Sequence, residues 1–501
     1  MSDQHFILII PPEGVTATSV LLLWNKSSTN QRVVAYQIFI NGEPAEKINV
    51  TDHTVTGLEP GTAYTFQITE ILENGGDGAT TAPVAVTTVE TGHVLSIADH
   101  GAKGDAQTLN TLAIQSAIDA CPPGGTVLVP SGVFRTGALF LKSCMTLHLA
   151  DGAVLLGSED AADYPVIPGH FEGRKQPMYA ALINCTPLRN GYVEGAERLH
   201  DVKITGQGLI KANARPLFHQ QLAQKAGVRG RNIYIANTDR VYIHGVTIRE
   251  SPAWCLHLVY CNQVSINGIS LHSKYDEEGH VLGIYNGDGI DPDSCMDVNI
   301  VNSLIASQDD CIAVKSGRDA EGRAAARPSE RVRISNCRFR NGFGVALGSE
   351  MSGGVRDVLV QDCSFTDSFS VGSIKAPRGR GNVIENALYD NLTLVNHDPE
   401  HQDCRWFRGG INVDMFYSLD EVDHDHPLPV DEGTPVFRNI TFQNISLETV
   451  GGNAIFIAGL PESPVENLTL RNVHAKGKYG MQAHNTTGLQ MENVTVEILP
   501  S

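Results

Sequence analysis

Three aspartates, Asp288, Asp309 and Asp310, are the residues of this 501-residue chain whose type and spacing best suit chemistry. They sit in two segments that interrupt an otherwise repetitive sequence: Asn286-Gly287-Asp288-Gly289-Ile290-Asp291-Pro292-Asp293-Ser294-Cys295 and Ser307-Gln308-Asp309-Asp310-Cys311-Ile312-Ala313-Val314-Lys315-Ser316-Gly317. Aspartates commonly fill turns by satisfying backbone donors, and Asp291, Asp293 and Asp362 are read that way. Asp309 and Asp310 fit that reading less well. Adjacent acids running straight into the apolar Cys311-Ile312-Ala313-Val314 set like charges against a packed strand, which is costly unless one carboxyl is held protonated for use. Glycoside hydrolysis needs this equipment, one carboxylic acid to protonate the leaving oxygen and one carboxylate to activate water. An inverting enzyme holds the two roughly 6.5 to 9.5 Å apart.

The elements that must position these acids are short strands in a repeat. Val241-Tyr242-Ile243-His244-Gly245-Val246, Val264-Ser265-Ile266-Asn267-Gly268-Ile269, Val298-Asn299-Ile300-Val301-Asn302-Ser303 and Val332-Arg333-Ile334-Ser335-Asn336-Cys337 share one pattern of apolar, polar, apolar, then a polar turn. Val358 to Cys363, Ile440 to Ile445, Leu468 to Val473 and Leu489 to Val494 continue it, at intervals of roughly 21 to 34 residues. Strands this short cannot bury a face alone, so stacked coils must close the core. The expected fold is all-β, a right-handed parallel β-helix over residues 92–501. Asp288 and Asp310 are one interval apart, which places them on adjacent rungs about 4.8 Å apart. Asn336, Asn444, Asn472 and Asn493 at the bends suit left-handed backbone angles and a hydrogen-bonded ladder. The L-x-x-L-x-L signature of a leucine-rich horseshoe is absent.

Residues 1–91 read differently. Val20 to Trp24 and Tyr36 to Ile40 alternate as strands separated by turn clusters such as Asn41-Gly42-Glu43-Pro44. Tyr64, at the start of the strand-like Thr65-Phe66-Gln67-Ile68, is placed as in a tyrosine corner. With Trp24 on an early strand, the segment resembles a fibronectin type III β-sandwich. Thr87 to Thr91 reads as a linker. After it, Thr111 to Ala120 is expected to form one helix, with Leu112, Ile114, Ala117 and Ile118 on a shared face.

A formal charge of −19 and a pI near 5.3 argue against nucleic acid or an anionic membrane as partner, since both are repelled at long range. The ten cysteines contain no C-x-x-C pair and no histidine cluster at zinc spacing, and several lie in apolar runs as small buried hydrophobes. No apolar run reaches membrane-spanning length. The N-terminus lacks a basic leader region, so a native start at Met1 predicts a cytoplasmic protein, and a removed leader a secreted or periplasmic one.

From about His93 onward the chain resembles glycoside hydrolase family 28, the polygalacturonases and their relatives. The resemblance is carried by Gly101-Ala102-Lys103-Gly104-Asp105, Ser251-Pro252-Ala253-Trp254, Asp288 to Cys295, Asp309 to Gly317 and Gly348-Ser349-Glu350-Met351-Ser352-Gly353-Gly354. It implies Asp309 as general acid and Asp288 with Asp310 as the pair that polarises the attacking water, giving single displacement with inversion. It implies no metal and no organic cofactor. Two departures stand out: Gly342-Phe343-Gly344 where the family commonly has Gly-His-Gly, and Ser373-Ile374-Lys375 where it commonly has Arg-Ile-Lys. Lys375 remains to meet a substrate carboxylate, and Arg378 or Arg380 is a candidate for the missing arginine's role. Trp254, His257 and Tyr417 are candidate sugar contacts, and Glu350 a candidate ligand for a sugar hydroxyl.

The implied activity is hydrolysis of pectic, galacturonate-containing chains, expected to be exo-acting on oligosaccharides, with rhamnogalacturonan as the competing substrate. A calcium-dependent pectate-lyase-like eliminase is the rival chemistry, which the acid cluster disfavours. A non-catalytic glycan-binding β-helix is the rival of another class. Asp398 to Glu432 reads as an excursion over the groove, and His424, Asp425 and His426 as part of an exposed loop.

Overall fold

The computed structural model describes residues 6–27, 31–187, 197–401 and 406–500 and divides the chain into two compact units, Met1–His93 and Val94–Ser501. The first unit holds two antiparallel sheets. One pairs Leu8–Ile9, Ser19–Trp24 and Asp52–Thr56; the other is built from Glu43–Ile48, Val33–Ile40, Ala63–Leu72, Asp77–Thr80 and Val84–Thr87. Trp24, Tyr36, Ile38, Phe66 and Ile68 form its core. The Tyr64 hydroxyl accepts the backbone N–H of Glu59 at 3.0 Å, the tyrosine-corner bond that locks the turn before its strand.

The second unit is a parallel β-helix with a 31-stranded sheet. The repeats found in sequence are its rungs, stacked in register: Val241 faces Val264, then Val298, Val332 and Val358. Identical positions of successive coils thus share one buried column, and each coil closes the apolar face of the one before it. At the bends Asn336, Asn444, Asn472 and Asn493 have φ of 53°, 55°, 51° and 51°. Asn493 Nδ2 donates to Asn472 Oδ1 and Asn472 Nδ2 to Asn444 Oδ1, each at 3.0 Å, so the bends carry a side-chain ladder of their own.

Thr111–Ala120 is a helix at the first coil, burying Ile114, Ala117 and Ile118. Leu112 does not share that face and is 86% exposed. At about 100° per residue it lies opposite the other three. Among the described cysteines, all nine are free and all but Cys144 are buried; Cys404 lies outside the described residues. No helix among the described residues is long and apolar enough to cross a membrane.

Six successive strands form the wall that matters for chemistry: β1 (Leu256–Val259), β2 (Ile290–Asp293), β3 (Ile312–Val314), β4 (Val345–Gly348), β5 (Gly372–Lys375) and β6 (Gly409–Asp414). Ile290, Ile312, Val345, Leu347, Ile374 and Ile411 point into the solenoid core. With period two, the intervening residues project from the other face of the wall. β6 falls within the stretch expected to be an excursion, which therefore contains a coil of the helix; the irregular excursion begins after Asp414.

Candidate active site

Ile290 pairs with Ile312, and Ile312 with Val345. Asp288, Asp310 and Phe343 each precede those residues by two and so occupy equivalent places on three consecutive coils. The register alone therefore brings Asp288 beside Asp310, with Asp309 next to it. One carboxylate oxygen from each of the three acids lies within 4.8 Å of the others.

Two lysines balance the acids. Lys375 ends β5, and its Nζ straddles the Asp310 carboxylate at 2.7 and 3.0 Å. Lys315 follows β3 and lies 3.2 Å from Glu350, 3.7 Å from Asp291 and 3.9 Å from Asp288. Asp288 and Asp310 are nearly closed off, whereas Asp309 keeps partial exposure. A cavity of about 510 Å³ is lined in part by Phe171, Arg229, Tyr285 and Asn286, and by none of the three acids.

Burial sets the protonation of the cluster. It raises Asp309, with the charge of Asp310 adding to the effect, and it raises Asp288 far above the usual carboxylate range, with Asp291 and Asp309 contributing. Burial likewise lifts Asp291 to about 8 despite Lys315. For Glu350 burial pulls in the same direction, but Lys315 and Arg380 outweigh it and hold the carboxyl at about 2. A protonated acid and an ionised neighbour can therefore coexist in one small volume.

The remaining sequence candidates divide. Trp254 is buried with the Lys315 ammonium 4.8 Å from its ring centre. Tyr417 is half-buried; the Lys375 ammonium lies 4.9 Å from its ring centre, and the ring packs near the partly exposed Trp406. Both remain close to the charged cluster. His257 is a correction: it has no exposed surface, its ring nitrogens have no hydrogen bond among the described residues, and it packs edge-on to Trp254, so it is part of the wall rather than a sugar contact. Arg378 is another, because both its Nε and Nη2 are spent on Glu462 at 2.6 and 2.9 Å. Arg380 is buried behind Glu350, donating to the Ser349 carbonyl and pairing with Asp319, so it buttresses the cluster instead of clamping a ligand. Glu350 is itself held by Lys315, Ser349 and Arg380. Ser373 is fully buried and accepts from Asn412 at 3.0 Å, which leaves it no part in carboxylate binding. Asp291 and Asp293, read from sequence as turn residues, lie within β2 and are buried; Asp362 does sit at a left-handed bend, at φ 55°.

Sequence reasoning gave no role to Lys315 or Phe407. The signal for Lys315 was present, since a lysine in step with the outward positions of a buried strand must face a counter-charge. Phe343, which donates its N–H to the Asp309 carbonyl, stacks on Phe407 at 4.0 Å, and Phe407 carries the Lys375 ammonium 4.6 Å above its ring. Phe407 had no local signal, because its contact spans several coils. His424, Asp425 and His426 lie in an exposed segment.

Three groups of side chains among the described residues gather closely enough to receive a cation. In Cys144–His200–Asp201 the carboxylate is bound twice by Arg240, and Asp276–Glu278–His280 sits on an exposed loop. In the third, the aspartate cluster, Lys315 and Lys375 already supply positive charge. None of the three is assigned as a metal centre.

The model for glycosyl hydrolases family 28 matches residues 190–498, and that for the fibronectin type III domain matches residues 11–87. An exo-poly-alpha-D-galacturonosidase of Dickeya chrysanthemi is 30% identical over 93% of this chain and 90% of its own length. An endo-polygalacturonase of Pectobacterium carotovorum subsp. carotovorum is 25% identical over 77% of this chain and 88% of its own. Among solved structures, the family 28 exopolygalacturonase of Yersinia enterocolitica superposes with a TM-score of 0.82 at 22% identity, covering 97% of this chain and 95% of its own. The exopolygalacturonase of Thermotoga maritima gives 0.64 at 25% identity, over 81% and 92%.

Proposed function

The chain belongs to family 28 of the glycosyl hydrolases, and from that premise we propose that it is an exo-acting polygalacturonase that removes galacturonate from the ends of pectic chains. The observation that carries the reading is the meeting of Asp288, Asp309 and Asp310 from adjacent rungs at one outward point of the wall. Asp309, partly exposed and raised by burial and by its charged neighbour, is the general acid that protonates the leaving oxygen. Asp288 and Asp310 orient and deprotonate the attacking water. Inversion follows the family resemblance; the close approach of the carboxylates does not by itself favour it over retention.

Exo action is supported by extent of likeness. The Dickeya exo-enzyme aligns with 93% of this chain, the endo-enzyme from Pectobacterium with 77%. Incubation with oligogalacturonates, followed by mass and anomeric configuration, tests both points. Monogalacturonate at early times, with inverted configuration, is expected. A spread of intermediate oligomers at early times would overturn exo action, and release from rhamnogalacturonan oligosaccharides alone would reassign the substrate.

A further inference from the structure

The cavity of about 510 Å³ holds on its wall a buried cation that the mechanism above does not use, Arg229. Ile233, Leu256 and Ile290 pair in register on three successive coils, and Arg229, Pro252 and Asn286 each stand four residues before them. Arg229 reaches along that column. Its Nη1 donates to the carbonyls of Pro252 and Tyr285 at 3.0 and 2.7 Å, and its Nη2 to Asn286 Oδ1 at 2.7 Å. Asn286 lies two residues before Asp288, which limits the separation of their Cα atoms to about 7 Å. The guanidinium is thus carried from its own coil to the coil of Asp288.

Arg229 is 5% exposed, and its three acceptors are neutral oxygens. Among the described residues no carboxylate lies within ion-pairing distance of it, and three of the guanidinium's five N–H groups are used, which leaves donors for a ligand. Glu172, the acid on the cavity wall, is taken by Arg318 at 3.1 Å. The rings of Tyr285 and Phe218, 4.1 and 5.2 Å from the guanidinium, offset its charge only in part. A buried cation without a counter-charge is costly, and an anionic ligand relieves that cost. Gln221 lines the same cavity; its Oε1 accepts the Gly230 N–H, while its buried Nε2 has no partner among the described residues. Tyr285, 52% exposed, offers its ring to a sugar face. The volume falls within the roughly 300 to 1,000 Å³ of small-molecule sites. On the later coils, past the acids, Lys375 is already matched to Asp310 and Arg378 to Glu462. Resting on the hydrolytic reading above, we propose that this cavity is the subsite for the galacturonate unit being released, with Arg229 reading its carboxylate and Tyr285 stacking on its ring. The sugar supplies the counter-charge that the fold withholds from Arg229, so a terminal unit whose carboxyl is a methyl ester is rejected.

The test compares two trigalacturonates, one with every carboxyl free and one methyl-esterified only on the unit to be released, in the full-length parent, Arg229→Gln and Tyr285→Ala. The parent's kcat/KM should favour the free acid by about 10 to 100-fold, the worth of a charge-assisted pair. Arg229→Gln should shrink that ratio to about threefold or less, because only the free acid loses its partner. Tyr285→Ala should raise KM for both substrates by about three to tenfold and leave the ratio unchanged. Each ratio is taken within one protein, so partial loss of fold in a variant does not alter it, and the parent's ratio needs no variant at all. A parent that cleaves both substrates equally well, an Arg229→Gln protein that keeps the parent's ratio, or a Tyr285→Ala protein with parent-like KM would overturn the assignment. Release of galacturonate from neither substrate by the parent would instead remove the hydrolytic reading on which it rests.

Discussion

The two lysines of the site solve one problem in different ways. Lys375 is matched to a single carboxylate, chelating Asp310 against the faces of Phe407 and Tyr417. Lys315 is a hub for Asp288, Asp291 and Glu350, none closer than 3.2 Å. The one-to-one pair grips its partner with both oxygens, whereas the hub bonds one carboxyl, Glu350, and only approaches the other two. The difference teaches that the same residue type, at equivalent places on two coils, can either close on one carboxylate or stand between several.

The largest test of this contrast is the acid between the two halves. Asp309→Asn should lower the initial rate of reducing-end release by about 10³ to 10⁴-fold with the fold intact. A rate within tenfold of the parent would remove Asp309 as the acid.

Next come the lysines. Each is buried, and removing one partner of a buried pair costs about 3 to 5 kcal/mol. Lys315→Met, which strands Asp288 and Asp291 and leaves Glu350 to Arg380 and Ser349, should destabilise more than Lys375→Met, which strands one acid. Denaturant melts check the order, and equal losses would erase the distinction between hub and pair.

The hub also predicts how stability depends on pH. Asp291 rises on folding from 3.8 to about 8, so its ionisation penalises the fold and stability declines as pH climbs through that window. Glu350 moves the other way, from 4.5 to about 2; its contribution is present above 4.5 and lost as pH falls toward 2. The melting temperature should peak in mild acid, at about pH 4 to 5. A melting temperature that climbs steadily to pH 8 would contradict the raised carboxyls.

A smaller effect is expected at Phe343. Phe343→His places an ionisable ring beside Asp309, and its cationic form favours the ionised carboxyl. The alkaline limb of the pH–rate profile should move to lower pH by about half a unit to one unit. The smallest is Arg378→Ala, which removes a partly exposed pair with Glu462 and should cost about 1 kcal/mol or less while leaving kcat unchanged.

The chain itself determined the solenoid. Apolar residues alternating at coil-length intervals, with asparagines able to adopt left-handed bends, leave stacking as the way to bury each strand, so rungs, columns and the neighbouring places of Asp288 and Asp310 were legible before any coordinates. The N-terminal sandwich was legible for the same local reason, through Trp24, Tyr64 and the alternation around them. Tertiary structure alone decided which charges meet. Lys375 reaches Asp310 across two coils, Arg378 is taken by Glu462, His257 is sealed beneath Trp254, and Asp291 leaves the turn assigned to it for the buried face of β2. Local pattern fixes which residues share a column. The partner of a buried charge depends on side-chain reach and desolvation across coils far apart in sequence, and no window of the sequence contains both.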